Sequence, residues 1–130
     1  MVIDTSVLIA IVLDEPAASR VSRAAAAAPV RLLSAGSLLE ASIVALSRAG
    51  DDGVRRLDAT LAGLGVEVVS VTAAQVLLAR AAFTTYGKGR HRAALNFGDC
   101  FSYALAKERG DLLLFVGNDF AQTDVLAAPY

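Results

Sequence analysis

Short apolar runs rich in β-branched residues alternate along this chain with longer stretches of helical spacing, and that alternation is its clearest signal. Met1-Val2-Ile3 reads as a first strand, Val30 to Ser34 as a second, Val66 to Val71 as a third, and Leu112 to Val116 as a fourth. The last is the most continuous, as expected of a strand buried on both faces. Between them lie predicted helices over Thr5 to Leu13, from Pro16 through the alanine-rich run to Ala28, and from Ser37 to about Arg48. Further helices are predicted over Val54 to Leu64, from Thr72 to about Tyr86, and over Cys100 to Arg109. Ser37 and Glu40 fit a capping box, Gly50-Asp51-Asp52-Gly53 a turn, Thr72 an N-cap, and Gly65 and Gly110 helix stops. Strands separated by helices imply a single α/β domain spanning residues 1–130. Its central parallel sheet would have about four strands flanked by helices on both faces.

Right-handed crossovers place the carboxyl ends of parallel strands on one edge, where ligands bind in open α/β sheets. Asp4 follows the first strand directly, and Asp119 lies three residues beyond the fourth. Glu40 and Asp99 fall near the heads of predicted helices that begin at the same edge. Each acid has a local explanation: Asp4 caps a helix, Glu40 completes the box with Ser37, Asp99 complements a helix dipole, and Asp119 stabilises a turn. None of these explains why four acids arrive at one edge. Carboxylates packed in a partly buried cleft repel by roughly 4 kcal/mol per close pair at an effective dielectric near 20, so such a cluster calls for a cation. All-oxygen ligands select Mg²⁺, or Mn²⁺ in its place, and a hard ion with open positions suits water activation and phosphodiester hydrolysis.

Composition narrows the setting. Hydrophobic residues make up 55% of the chain and charged residues 19%, apolar enough to suggest that a partner covers part of the surface. The formal charge of -1 argues against bulk attraction to nucleic acid but leaves room for a local basic patch. Lys88, Arg90, His91 and Arg92, preceded by Tyr86, form such a patch, suited to phosphate and base contacts or simply solvated. The lone cysteine, Cys100, follows Asp99, lacks a histidine partner and reads as an inert buried thiol. It also fits a reducing cytoplasm. The early apolar run Val7 to Leu13 is too short to span a bilayer, so a cytoplasmic protein without membrane contact is expected.

Three segments carry a resemblance over essentially the whole chain. Met1-Val2-Ile3-Asp4-Thr5-Ser6 is followed by Glu40 near the head of a helix and by Gly98-Asp99-Cys100-Phe101-Ser102-Tyr103-Ala104. Leu114-Phe115-Val116-Gly117-Asn118-Asp119-Phe120, with Thr123-Asp124, completes the set. In order and spacing this resembles the PIN-domain ribonucleases and, more narrowly, the VapC toxins of bacterial toxin-antitoxin pairs. The resemblance implies a metal-dependent endoribonuclease acting on RNA, with Asp4 and Asp99 as direct Mg²⁺ ligands and Glu40 positioning water or metal. Asp119 would be a ligand, directly or through water, a group behind the ligands, or a turn residue, because relatives often carry two acids where this chain has Asn118 and Asp119. Thr5 and Ser6 would supply site hydroxyls or act as helix caps. A cognate antitoxin would wrap the protein, cover its apolar grooves and place a basic side chain in the cleft. A homodimer is expected, as is a heterotetramer or larger assembly with the antitoxin.

Two other functions compete. A small-molecule phosphohydrolase using Asp4 as a covalent nucleophile would usually carry an acid two residues later, where this chain has Ser6. A catalytically silent receiver-like module would place an Asp after the third strand, where Val71 is followed by Thr72. The chain has neither a phosphate-binding G-x-x-x-x-G-K-[ST] loop nor a G-x-S-x-G elbow.

Overall fold

The computed structural model describes residues 1–130 and orders its elements as β1 (Val2–Ile3), α1 (Thr5–Val12), α2 (Ala18–Ala27), β2 (Leu32–Ser34) and α3 (Ala35–Leu64), followed by β3 (Glu67–Val69), α4 (Ala73–Tyr86), α5 (Asp99–Arg109) and β4 (Leu113–Leu114). A 3₁₀ turn, Phe120–Gln122, follows β4. The four strands form one sheet in the order β3-β2-β1-β4, every pair parallel. Val2 pairs with Leu32 on one side and Leu113 on the other, so the first strand sits at the centre of the sheet. The α/β architecture with a four-stranded parallel sheet is the one the apolar alternation predicts.

Helices cover both faces and bury two separate cores. On one face Ile3, Leu33 and Leu114 pack with Val7, Leu8 and Val12 of α1, Val21 of α2, and Ala41, Ala45 and Leu57 of α3. On the other, Val2, Leu32 and Leu113 pack with Tyr103, Leu105 and Ala106 of α5 and Ala82 of α4. Successive residues of each strand thus feed opposite cores, the consequence of a side-chain period of two in a sheet buried on both sides. No helix is long and apolar enough to cross a membrane.

Several boundaries differ from the expected ones. The third strand keeps only Glu67–Val69 of the run Val66 to Val71, because it is an edge strand whose single partner, β2, is three residues long. The fourth is hydrogen-bonded over Leu113–Leu114 alone, matching the two residues that β1 offers. Beyond the pairing with β1, Leu113 also bridges Ala127, so the C-terminal tail lies along the free side of β4. Pro16 lies ahead of α2 instead of in its first turn, in a bend where Asp14 takes φ 55°. The capping box at Ser37 is not formed: α3 begins earlier, with Ser34 as N-cap accepting from the Gly36 N–H. The turn expected over Gly50 to Gly53 shrinks to one residue, since only Gly50 leaves helical geometry, at φ 61° and ψ −153°. Helical conformation then resumes, and Gly53 packs against the Ala45 carbonyl so closely that a β-carbon there would overlap it.

Candidate active site

Asp4 is delivered to the carboxyl end of β1 by the ladder itself, its N–H donating to the Leu114 carbonyl at 3.0 Å. Its side chain is the N-cap of α1, with Oδ2 accepting from the Ser6 N–H at 2.9 Å and from the Ser6 hydroxyl at 2.6 Å. The Ser6 hydroxyl accepts in turn from the Val116 N–H at 2.9 Å, tying the first acid to the chain leaving β4. Oδ2 is therefore saturated, whereas Oδ1 is buried with no hydrogen-bond partner. The capping explanation of Asp4 accounts for one oxygen and leaves the other, on a residue only 3% exposed, unexplained.

Asp4, Thr5, Ser6, Glu40, Asn96, Asp99, Val116, Asp119 and Phe120 line a single cleft of about 170 Å³. All four acids singled out in the sequence are thus brought together. Glu40 is the sixth residue of α3, in its second turn, and its Oε2 accepts from the Thr5 hydroxyl at 2.7 Å. Ser37, expected as its capping partner, is instead buried and bonded to Ser102 of α5 at 3.0 Å. Asp99 opens α5 in a reciprocal pair with Asn96: Asp99 Oδ2 accepts from the Asn96 N–H at 2.7 Å, and the Asp99 N–H donates to Asn96 Oδ1 at 3.0 Å. Asp119 stands at the head of the 3₁₀ turn but makes no capping bond there, and Asn118 lies outside the cleft lining.

The electrostatics follow from this crowding. Burial is the main force raising Asp99, to about 7; the Asn96 N–H opposes it, and the charges of Asp4, Asp119 and Glu40 add to it. Glu40 is also raised, chiefly by burial, against the Thr5 hydroxyl bond and with a contribution from Asp4. The Cys100 thiol is pushed up to about 11 by burial and by neighbouring Asp99, and its sulfur sits 3.2 Å from the Asn96 carbonyl, as an inert thiol would.

The donor set is all oxygen, and the orphaned Asp4 Oδ1 lies in a cleft whose like charges add to the burial that raises Asp99 and Glu40, so these residues fit a hard divalent cation. As they stand, the acids do not form a group of three or more side chains that could hold an ion by themselves.

The basic segment lies outside the cleft lining. Lys88, Arg90 and Arg92 are exposed, and neither they nor His91 makes a salt bridge. His91 is half-buried, accepts from the Ala93 N–H at Nδ1 and meets Tyr86 edge to face. The loop they occupy closes with paired hydrogen bonds, Lys88 to Leu95 and Leu95 to Tyr86, and then delivers Asn96 to the cleft. Asn96, Gly98 and the Ser37–Ser102 pair were not anticipated as site residues. The Asn96-x-x-Asp99 spacing, a helix-start pattern, could have revealed the first.

A model of the PIN domain matches residues 1–126. The chain is 55% identical over 127 residues to ribonuclease VapC of Mycolicibacterium smegmatis, covering 98% of each. Among solved structures it is similar to Mycobacterium tuberculosis VapC20, a sarcin-ricin loop cleaving toxin, with a TM-score of 0.79 and 21% identity over 98% of each chain. It is also similar to VapBC2 from Rickettsia felis, bound to a DNA fragment from their promoter, with a TM-score of 0.74 and 15% identity over 97% of this chain and 94% of that one.

Proposed function

This chain belongs to the PIN domain family, and from that premise we propose that it is a VapC-type endoribonuclease, the toxin of a toxin-antitoxin pair, whose acidic cleft hydrolyses RNA phosphodiester bonds with Mg²⁺ or Mn²⁺. The observation that carries the metal site is the buried, unpartnered Oδ1 of Asp4, held in a cleft shared with three further acids. Asp4 and Asp99 would hold the ion, with Glu40 and Asp119 contributing directly or through a water. When bound, such an ion lowers the pKa of an attacking water and stabilises the leaving oxygen of the phosphodiester.

The chain's own groups prepare the cleft. Ser6 fixes the Asp4 carboxylate so that Oδ1 stays free, and Thr5 holds Glu40 at the rim. Asn96 does the same for Asp99 through its backbone N–H. Lys88, Arg90, His91 and Arg92 supply phosphate contacts beside the acids, on a loop free of competing ion pairs.

The cognate antitoxin covers apolar hollows beside the cleft, one lined by Leu39, Ile43 and Phe97 and the next by Val76, Phe83 and Phe97. Phe97, at their shared crest, is 79% exposed. A basic antitoxin side chain would neutralise the acids. The toxin works in the cytoplasm as a homodimer, joined by antitoxin into a heterotetramer or larger assembly.

Incubation of the purified protein with structured RNA in Mg²⁺, in EDTA and as Asp4→Asn tests the reading. Cleavage that needs the metal and disappears in the variant supports it. Cleavage that survives both EDTA and the substitution overturns it, and hydrolysis of a small phosphate ester without RNA cleavage would redirect it to the phosphohydrolase alternative.

A further inference from the structure

The two helices that carry Glu40 and Asp99 meet through a reciprocal pair of glycine seats. The Phe101 ring of α5 lies over Gly36 of α3, so close that a β-carbon at Gly36 would stand 2.6 Å from the ring. One turn further along α3, Glu40 lies over Gly98, and a β-carbon at Gly98 would overlap all three carboxyl atoms of Glu40. Between the seats the Ser37 and Ser102 hydroxyls join at 3.0 Å, closing the contact from below. Gly98 has φ −65° and ψ −43°, a conformation open to any residue, so its backbone does not require glycine. What requires it is the space taken by the Glu40 carboxylate, pinned on its other side by the Thr5 hydroxyl at 2.7 Å.

We propose that Gly98 is a positioning residue: its missing side chain is the seat that lets Glu40 reach the cleft beside Asp99. A methyl group there leaves α5 able to form but drives the Glu40 carboxylate off Thr5. The inference rests on the proposed role of Glu40 in RNA cleavage, and Gly98 itself touches neither substrate nor ion.

The test uses the full chain in five forms: wild type, Gly98→Ala, Glu40→Asp, the double variant of these two, and Glu40→Gln. Gly98→Ala is expected to lower kcat for a structured RNA in saturating Mg²⁺ by roughly 10- to 100-fold, the usual effect of losing a group that orients a ligand, with KM within about twofold. Glu40→Asp retracts the carboxylate by one methylene and relieves the overlap, so the double variant should be no worse than the poorer single variant. In the metal-free protein, the carboxyl-carbon NMR resonance of Glu40, assigned with Glu40→Gln, should move in Gly98→Ala while that of Asp4 stays.

An unchanged kcat with an unmoved Glu40 resonance overturns the proposal, and so do two substitutions whose effects multiply. Should Gly98→Ala fail to fold, recovery of fold in the double variant supports the seat and continued failure refutes it. If Glu40→Gln cleaves RNA like wild type, the role given to Glu40 under the proposed function is what fails, and the resonance alone decides the seat.

Discussion

The two ends of α5 treat a carboxylate in opposite ways. At its first turn, Asp99 shares a cleft with three other acids and is pushed up to about 7, chiefly by burial. Further along the same helix, Tyr103 and Lys107 clasp Asp124 of the C-terminal tail, donating to its two oxygens at 2.7 and 3.0 Å. There the tyrosine hydrogen bond, with help from Lys107, holds Asp124 below the usual carboxylate range. Every oxygen of the clasp has a donor. In the cleft one buried oxygen has none and the neighbouring charges are alike. A region arranged for the fold satisfies its own polar groups, whereas one arranged for a ligand leaves them for the ligand to satisfy.

That contrast can be broken first at Asp4. Asp4→Asn is expected to reduce RNA cleavage in Mg²⁺ by about 10³-fold, the equivalent of several kcal/mol of lost charge stabilisation. A gel-based cleavage assay measures this, and retention of most activity would put the chemistry elsewhere.

The pH dependence of metal-free stability sharpens it next. Asp99 has a folded pKa raised above its unfolded value, so the folded state binds the extra proton. Its contribution is greatest in acid and is lost as pH rises from about 4 to about 7. Asp124, with a depressed folded pKa, works in the other sense: its contribution is present above its unfolded value near 4 and fades as pH falls through the lower folded one. Melting curves without Mg²⁺ should show the Asp99 part as the difference between wild type and Asp99→Asn, largest near neutrality. At pH 7.5, Asp99→Asn should melt at the same temperature or a few degrees higher. A fall of many degrees would mean that the Asn96–Asp99 pair is needed for folding.

At the clasp the effects are smaller. Tyr103→Phe removes one hydrogen bond and should cost about 1 kcal/mol in urea unfolding while leaving RNA cleavage unchanged. Lys107→Ala disrupts a partly exposed ion pair and is expected to cost under about 0.5 kcal/mol. A larger loss from Lys107→Ala than from Tyr103→Phe would reverse the ranking of the two donors.

Much of this was legible in the residues. The four strands and the gathering of Asp4, Glu40, Asp99 and Asp119 at one edge follow from apolar spacing and parallel topology, which the chain reveals locally. What escaped depends on distant partners. The length of β3 is set by β2, and Ser37 abandons its expected box because Ser102, far along the chain, offers a buried partner. Gly50 to Gly53 carried every sign of a turn, yet burial of Ala45 and Leu57 keeps both flanking segments helical and confines the break to Gly50. The seat at Gly98 is equally hidden, because nothing near it in the chain announces the carboxylate that lies across it.

The short pairing of Leu113 with Ala127 has a consequence for solubility. An exposed strand rim is a template for another chain, and the last residues lie along the one that β4 would otherwise present. Clipping the chain ahead of Asp124 would therefore keep every residue of the acidic cleft but uncover a sticky border and remove Ala128 from the core beneath, and the shortened protein would tend to stack into insoluble aggregates.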